Sequence, residues 1–302
     1  MVHRKTVCLS GMIFIITSLI GLLAGFVGGL LGVGGSTIII PALIIYLSYT
    51  AQGYTGQSQH LLQAAAMICN VFIAAPSIYA HRRANAIMAD VIVWLIPSAL
   101  AGIFMGVAVS NSRYFARHNG KYLATGLAIF MAYVIVYNLI RFFSKTKLTD
   151  EYEKNPPPLP PWKIICVGVP MGLTAGLLGI GGGILCVPAQ QLLLKLPLRR
   201  AIANSAVTIV FSAFFGAIYK NLTLPSHGLE VNSSLRLAAM LIPTAIIGSY
   251  LGGWLTHILP RQVLRIVFIV FMTAVCWRTL RHSLHAETPP PPAQIQVAEP
   301  DR

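Results

Sequence analysis

The sequence predicts an all-α polytopic membrane protein, built from two homologous halves with eight to ten transmembrane or re-entrant helices. Three observations predict this class. Hydrophobic residues make up 56% of the 302-residue chain and charged residues only 10%, whereas soluble domains carry about 25% charged residues. Several apolar runs exceed the ~20 residues that a helix needs to span a bilayer. A glycine-rich segment also occurs twice along the chain.

The two copies of that segment define the halves. Residues 21–43 read GLLAGFVGGLLGVGGSTIIIPAL and residues 168–190 read GVPMGLTAGLLGIGGGILCVPAQ, with ten of 23 positions identical at an offset of 147. Further along, LIPSALAGIFMG (95–106) aligns with LIPTAIIGSYLG (241–252). Two matches in the same order and at nearly the same offset predict an internal duplication.

The domain boundaries follow from composition. We expect a first membrane repeat at 8–143, a polar linker with five prolines at 144–161, a second membrane repeat at 162–285 and a disordered tail at 286–302. Each half offers five apolar segments, of which the second is short. An odd number of crossings per half would invert the halves, as in many transporters, and an even number would leave them parallel. We favour inversion, and the orientation of the termini stays open.

The net charge of +14 does not indicate a nucleic-acid partner. The 22 Lys and Arg residues lie almost entirely in short loops between apolar runs, as basic residues do in membrane proteins. Their excess favours membrane lipid and a small anionic solute as partners. The five cysteines are scattered without a CxxC pair, so we expect no metal site and no cofactor. HExxH and GxSxG are absent from the sequence, and no acidic pair at helical spacing lies in its apolar runs, which disfavours an enzyme and a cation pump.

Two kinds of glycine occur in the duplicated segment. Gly21, Gly25 and Gly29 are four residues apart and lie on one helical face, which is typical of close helix packing in membranes. The runs GVGGS (32–36) and GIGGG (179–183) instead predict breaks in the helix at membrane depth.

After each break a short helix should begin. We expect Ser36 to cap the first of these helices, and Pro41 and Pro188 to lie near the helix starts, where a missing N–H costs little. A bare helix N-terminus flanked by glycine is a ready anion site, although a break that serves packing alone stays the alternative. The loops match no nucleotide-binding fingerprint. The candidate substrate-binding residues are Gly32, Gly34, Gly35, Ser36, Gly179, Gly181, Gly182 and Gly183.

Polar side chains in apolar runs are further candidates. Asn204 and Ser205 could complete the shell of an anion with hydrogen-bond donors, but interhelical polar contacts would explain them equally well. The same two readings apply to Asn70, Thr208, Gln190 and Gln191. His81 closes a helix before HRRAN, and we expect it to lie at the membrane interface.

These residues resemble a known family. The duplicated GLLGVGGSTIIIPAL and GLLGIGGGILCVPA, with AIANSAVTIVFSAFFGAIYK and IPTAIIGSYLGGWL after the second copy, look like the sulfite exporter TauE/SafE family over about residues 10–280. The resemblance implies transport of small anions such as sulfite or sulfonated short acids. Its glycine motifs map onto 32–35 and 179–183. Family members commonly carry Gly-Thr-Ser where this chain has Ala203, Asn204 and Ser205.

The sequence thus predicts a non-enzymatic, multi-pass permease in a plasma membrane, of the kind found in the bacterial inner membrane. It would export a small anion such as sulfite, a sulfonate or a related organic acid by alternating access. The alternative is a membrane scaffold or assembly protein without transport activity, which a packed, dry midplane would favour. A homo-oligomer is left open.

Overall fold

The computed structural model describes residues 2–49, 58–110, 132–133, 135–136, 138–140, 159–179 and 181–285. Every regular element in these ranges is helical, which confirms the all-α prediction. The long helices are α1 (Val2–Leu31), α2 (Ser36–Tyr49), α3 (Ser58–Arg83), α4 (Ala89–Ser110), α5 (Pro161–Leu178), α6 (Gly183–Leu193), α7 (Leu198–Thr223), α8 (Val231–Ile258) and α9 (Arg261–His285). Most of the predicted linker (144–161) and most of the fifth apolar segment of the first half (roughly 121–143) lie outside the described residues, as does the whole tail (286–302).

Four of the described helices, α3, α4, α7 and α8, are long and apolar enough to cross a membrane. Their outer surfaces carry large apolar side chains, among them Phe72, Trp94, Phe104, Phe214 and Trp254. Inside, the helices bury many hydroxyl and amide side chains. This distribution suits a protein surrounded by lipid, where buried polar groups must find partners within the protein.

The glycine stripes bring pairs of helices into backbone contact. A Cβ atom at Gly25 of α1 would overlap the Ala245 carbonyl oxygen of α8, and one at Gly172 of α5 would overlap the Ala99 carbonyl oxygen of α4. The predicted packing role of the spaced glycines is therefore confirmed. Four-residue steps on both helices continue the contacts: Gly21–Leu241 and Gly29–Ser249, and Gly168–Leu95 and Gly176–Ile103.

These steps also give the helix directions. Residue numbers rise together along α1 and α8 and along α5 and α4, so each pair is parallel. On α3 and α8, Ser249 donates to the Ile73 carbonyl and His81 bonds His257 eight residues further along, so this pair is parallel too. On α4 and α7, Gly216 packs on Ile103, and Lys220 then bonds Ser110, which makes the pair parallel.

Helices α3 and α7 run in opposite directions. The Met88 N–H, just beyond the end of α3, donates to Asn204 near the start of α7. In turn, Gly216 in the last third of α7 packs on Met67 in the first half of α3. Thus α1, α3 and α8 point one way, and α4, α5 and α7 the other. This is the arrangement expected of inverted repeats, while the duplication itself stays a prediction from the sequence.

Helix α2 belongs to the return path of the first half. Because α1 and α3 point the same way, the chain between them must come back across the layer, and α2 is the described part of that return. Its Ile39 and Leu43 share one buried apolar cluster with Leu62 and Cys69 of α3. The glycine break between α1 and α2 is therefore the tip of a hairpin.

Candidate functional site

Both glycine runs interrupt their helices, as predicted. Helix α1 ends at Leu31 and α2 begins at Ser36, while α5 ends at Leu178 and α6 begins at Gly183. L side chains rarely adopt a left-handed backbone, so the chain needs glycine at the breaks. Such positive φ angles, between 62° and 80°, occur at Gly32, Gly34, Gly179, Gly181 and Gly182.

The two breaks meet in the middle of the protein. A Cβ atom at Gly183 would lie 2.5 Å from the Val33 Cα, and one at Gly181 would lie 3.7 Å from Ser36 Oγ. Asn70 of α3 lies between the two breaks, since it faces both Gly34 and Gly181. It is the thirteenth of the 26 residues of α3, so the junction lies halfway along a membrane-spanning helix.

Asn70 caps α2. Its Oδ1 accepts the Gly35 N–H at 2.7 Å and the Ser36 N–H at 3.1 Å, and its Nδ2 donates to Ser36 Oγ. The prediction of a bare N-terminus is therefore wrong for α2. The prediction that Ser36 is the cap residue is also wrong, because the Gly35 carbonyl accepts the Ile38 and Ile39 N–H groups and Ser36 is the first helical residue.

Helix α6 has no such cap. Its N-cap residue is Gly182, which makes no side-chain capping bond, and whose carbonyl accepts the Leu185 N–H at 3.2 Å and the Cys186 N–H at 3.0 Å. The first-turn N–H groups of α6, those of Gly183 and Ile184, therefore keep their donor capacity without a side-chain cap. Asn70 Nδ2 lies beside Gly181, two residues before this turn. The bare N-terminus that the sequence predicts exists at the second break only.

Pro41 and Pro188 lie further into their helices than expected. Each is the sixth residue of its helix, one turn beyond the positions whose N–H groups have no helical partner. Each proline therefore removes a helical hydrogen bond to the carbonyl four residues earlier. The prediction that Pro41 and Pro188 are helix-start residues is therefore wrong. Both prolines nevertheless occupy the same position in their helices.

Asn204 and Ser205 bind other parts of the protein. Ser205 Oγ donates to the Gly32 carbonyl at 2.6 Å. Asn204 accepts the Met88 N–H at 2.9 Å and donates to Gln190 Oε1 at 3.2 Å. Both side chains are fully buried. In this conformation Ser205 holds the first glycine break, and Asn204 connects α7 to α6 and to the start of α4.

The remaining polar candidates divide into two groups. Thr208 donates to the Asn204 carbonyl within α7 at 2.8 Å, and Gln190 donates to the Ala201 carbonyl at 3.2 Å. Gln191 Oε1 and Gln63 Oε1 are buried without a hydrogen-bond partner among the described residues. Gln63 lies directly over Gly179, so it belongs to the site although its sequence context did not single it out.

Two buried basic residues, Lys220 and His81, lie near the ends of their helices, outside the set of candidate binding residues predicted from the sequence. Lys220 is 1% exposed, and its Nζ donates to Ser110 Oγ at 3.1 Å. The only sequence signal was a lysine inside the apolar run of α7. His81 is fully buried, and its Nδ1 lies 2.8 Å from His257 Nε2. His81 thus lies inside the protein in the last turn of α3, and its place at the membrane interface stays a prediction.

The comparison with known families agrees with this architecture. The family model described as sulfite exporter TauE/SafE matches residues 17–294. The chain belongs to the sulfite exporter TauE/SafE family. It is therefore a multi-pass membrane protein of a transporter family, with the glycine breaks of both halves inside the matched region.

Curated relatives carry transporter names. "Probable membrane transporter protein MamO" of Paramagnetospirillum magneticum is 26% identical over 87% of this chain and 44% of its own length. "Probable membrane transporter protein YunE" of Bacillus subtilis is 26% identical over 86% of this chain and 96% of its own. A probable membrane transporter of Methanocaldococcus jannaschii is 28% identical over 82% and 88%. The chain thus spans less than half the length of the MamO relative. No solved structure matches it.

Proposed function

We propose that this protein moves a small anion across the membrane by alternating access, and that the anion binds where the two glycine breaks meet. The observation that carries this proposal is the uncapped N-terminus of α6 at mid-depth, next to the Asn70 amide. The family description supports sulfite, a sulfonate or a related organic acid as the substrate.

The electrostatics of the site suit an anion. A helix N-terminus carries roughly half a positive charge and several free N–H donors, and glycine lets a ligand approach the backbone closely. The acidic residues of the described ranges are Asp90 and Glu230, and both are exposed at helix starts. No carboxylate of the described part of the chain therefore faces the junction.

The side chains around the junction have distinct roles in this proposal. Asn70 Nδ2 can donate one hydrogen to Ser36 and its second to the anion. Ser205 holds the carbonyl of Gly32 and thereby the shape of the first break. Asn204, which has one amide hydrogen beyond its bond to Gln190, is a further donor on α7.

The described conformation fits a closed state of the transport cycle. The described residues of both breaks are buried, and Gly183 contacts the Val33 backbone. In alternating access, one set of helices then rocks against the other and exposes the junction to one face at a time. Opening would have to separate Val33 from Gly183.

The same packing also favours the alternative, a membrane scaffold without transport. A protein of that kind needs the glycine contacts for assembly and has no need of an anion at the junction. The family and the names of its relatives favour transport. A flux measurement distinguishes the two functions directly.

Uptake into proteoliposomes tests the proposal. We expect the purified full chain to carry at least one of sulfite, methanesulfonate, sulfate and acetate. Gly181→Ala places a methyl group against Asn70 Nδ2 and should reduce uptake at least tenfold. Gly228→Ala is the matched control, because Gly228 also has a positive φ, 69°, but no atom lies within 4 Å of its Cβ position.

The outcomes are distinct. Uptake by the wild type that Gly181→Ala abolishes and Gly228→Ala preserves supports an anion site at the junction. Absence of uptake for the whole panel contradicts transport and supports the scaffold. Equal loss in both glycine variants would mean that backbone strain alone explains the effect.

A further inference from the structure

We propose that Lys220 and His81 form two further anion sites, one toward each membrane face, through which the substrate reaches and leaves the central junction. This inference rests on the proposed transport function and extends it to the path on both sides of the glycine breaks. Two buried pairs, Lys220 with Ser110 and His81 with His257, lie at the ends of their helices.

Lys220 is a buried base without a carboxylate partner among the described residues. It is one of the largest fully buried side chains of the described residues, and its Nζ donates to Ser110 Oγ at 3.1 Å. A protonated amine has three N–H donors, so donors remain beyond the bond to Ser110. Glu230, at the start of α8, is exposed and makes no ion pair with Lys220. Charged residues inside membrane helices are costly and commonly mark ion pathways.

His81 is the second buried base. It is fully buried, its Nδ1 bonds His257 Nε2 at 2.8 Å, and its Nε2 is buried without a partner among the described residues. The two rings meet edge to face at 5.1 Å. Arg199 of α7 lies close by and donates to the Leu259 carbonyl just after α8. Arg199 contributes a permanent positive charge beside this pair, and His81 Nε2 donates to an anion in the tautomer in which Nδ1 accepts from His257.

The two basic sites are related by position in the fold. His81 lies two residues before the end of α3, and Lys220 three residues before the end of α7. Each bonds the last turn of a parallel neighbour, because His257 lies one residue before the end of α8 and Ser110 ends α4. Since α3 and α7 are antiparallel, these equivalent places lie toward opposite faces of the membrane.

Each basic site also lies close to the level of a residue that packs on a glycine break, measured along the helices α3 and α7. Gly216 of α7 packs on Met67 of α3. Because the helices are antiparallel, one turn further along brings Lys220 level with Gln63, the residue over Gly179. At the other end, the same register extended along the helix pair places His81 near the level of Ile202, which packs on Gly32. From one membrane face to the other, the path therefore passes Lys220, the second glycine break, the first glycine break and His81.

Sided flux measurements test this order. Sulfite uptake is measured in right-side-out and inside-out membrane vesicles that contain the full chain, at constant pH. Lys220→Gln removes the charge, and His81→Asn keeps a group that can bond His257 but removes Nε2. Loss of a hydrogen bond to a charged group weakens binding about ten- to hundredfold. We expect Lys220→Gln to raise the half-saturating sulfite concentration by that factor in one vesicle orientation, and His81→Asn in the other.

Controls separate this effect from charge and folding. Arg236→Gln and Arg83→Gln each remove an exposed charge near the same face as Lys220 and His81, respectively, and should change the half-saturating concentration less than twofold. Lys220→Arg keeps a cationic donor and should retain most of the wild-type affinity. It therefore tests the role of the charge even where Lys220→Gln folds poorly.

The results divide clearly. Orientation-specific losses for the two variants support the inference. Active transport by the wild type with unchanged sided affinities in both variants, or with losses from the same face, overturns the inference and leaves the proposed function intact. A wild type without flux of sulfite, methanesulfonate, sulfate or acetate contradicts the proposed function itself and, with it, this extension.

Discussion

At the scale of single residues, Asn70 has the largest structural role in the site. One buried amide satisfies two backbone N–H groups of the first break and lies against a glycine of the second. A buried donor that loses its partner costs about 1–3 kcal/mol. The same amide therefore stabilises α2 and prevents it from serving as a second bare N-terminus.

We expect Asn70→Leu to lower the stability of the protein by about 2 kcal/mol, because the Gly35 and Ser36 N–H groups lose their acceptor. Asn70→Asp keeps an acceptor, so its stability should fall less. Its new negative charge should nevertheless weaken anion uptake by tenfold or more. Thermal unfolding in detergent, followed by tryptophan fluorescence, measures the first effect.

Asn232→Leu, an exposed site at the start of α8, is the matched control and should unfold like the wild type. An Asn70→Leu protein as stable as the control would contradict the capping role.

The sequence could predict the breaks but not the cap. Three glycines in residues 32–36 and four in residues 179–183 are a local signal, and the left-handed φ angles explain it. Asn70 is 35 residues away from Gly35, and nothing in QAAAMICNVF indicates which backbone it faces. Burial of His81 and Lys220 likewise depends on neighbouring helices and not on their own segments.

At the scale of helices, the spaced glycines determine which helices pair. They let α1 approach α8 and α5 approach α4 so closely that carbonyl oxygens occupy the space of a Cβ atom. Small-xxx-small spacing predicts such contacts in general. This spacing does not identify the partner helix. Only the folded protein shows that each glycine helix pairs with a helix of the other half, α1 with α8 and α5 with α4.

Gly25→Leu and Gly172→Leu should destabilise the protein to a similar extent, by about 1–3 kcal/mol or more, because both side chains would collide with backbone. Leu23→Phe is a suitable control, since Leu23 is half exposed on the same helix and its added volume would enter lipid. Unfolding temperatures in detergent give the comparison. Wild-type stability in either glycine variant would show that the close contact is not formed.

At the scale of the whole molecule, the helix directions place equivalent segments in opposite orientations. The ends of α3 and α8 and the start of α7 share one face, which the bond from Arg199 to the Leu259 carbonyl also shows. From the sequence, inversion is predicted only from an odd number of membrane crossings per half. The sequence does not show whether the chain reverses direction at the glycine breaks. The contacts resolve the direction of each helix, because they give the register of each pair.

Cysteine labelling tests these directions. We expect an impermeant maleimide to label Arg83→Cys and Lys195→Cys from one side of the membrane and Arg236→Cys from the other, since all three positions are exposed near helix ends. The parent for these variants is a chain with its native cysteines replaced. Labelling of all three positions from the same side would contradict the described packing.

The central claim is that the junction of the glycine breaks holds an anion, and equilibrium binding of radiolabelled sulfite to the purified protein tests it most directly. We predict saturable binding to the wild type, retained in Gly228→Val and lost in Gly181→Val. Both substitutions occupy a left-handed position, but only the second fills the space beside Asn70. Saturable binding of equal affinity in Gly181→Val would contradict the account.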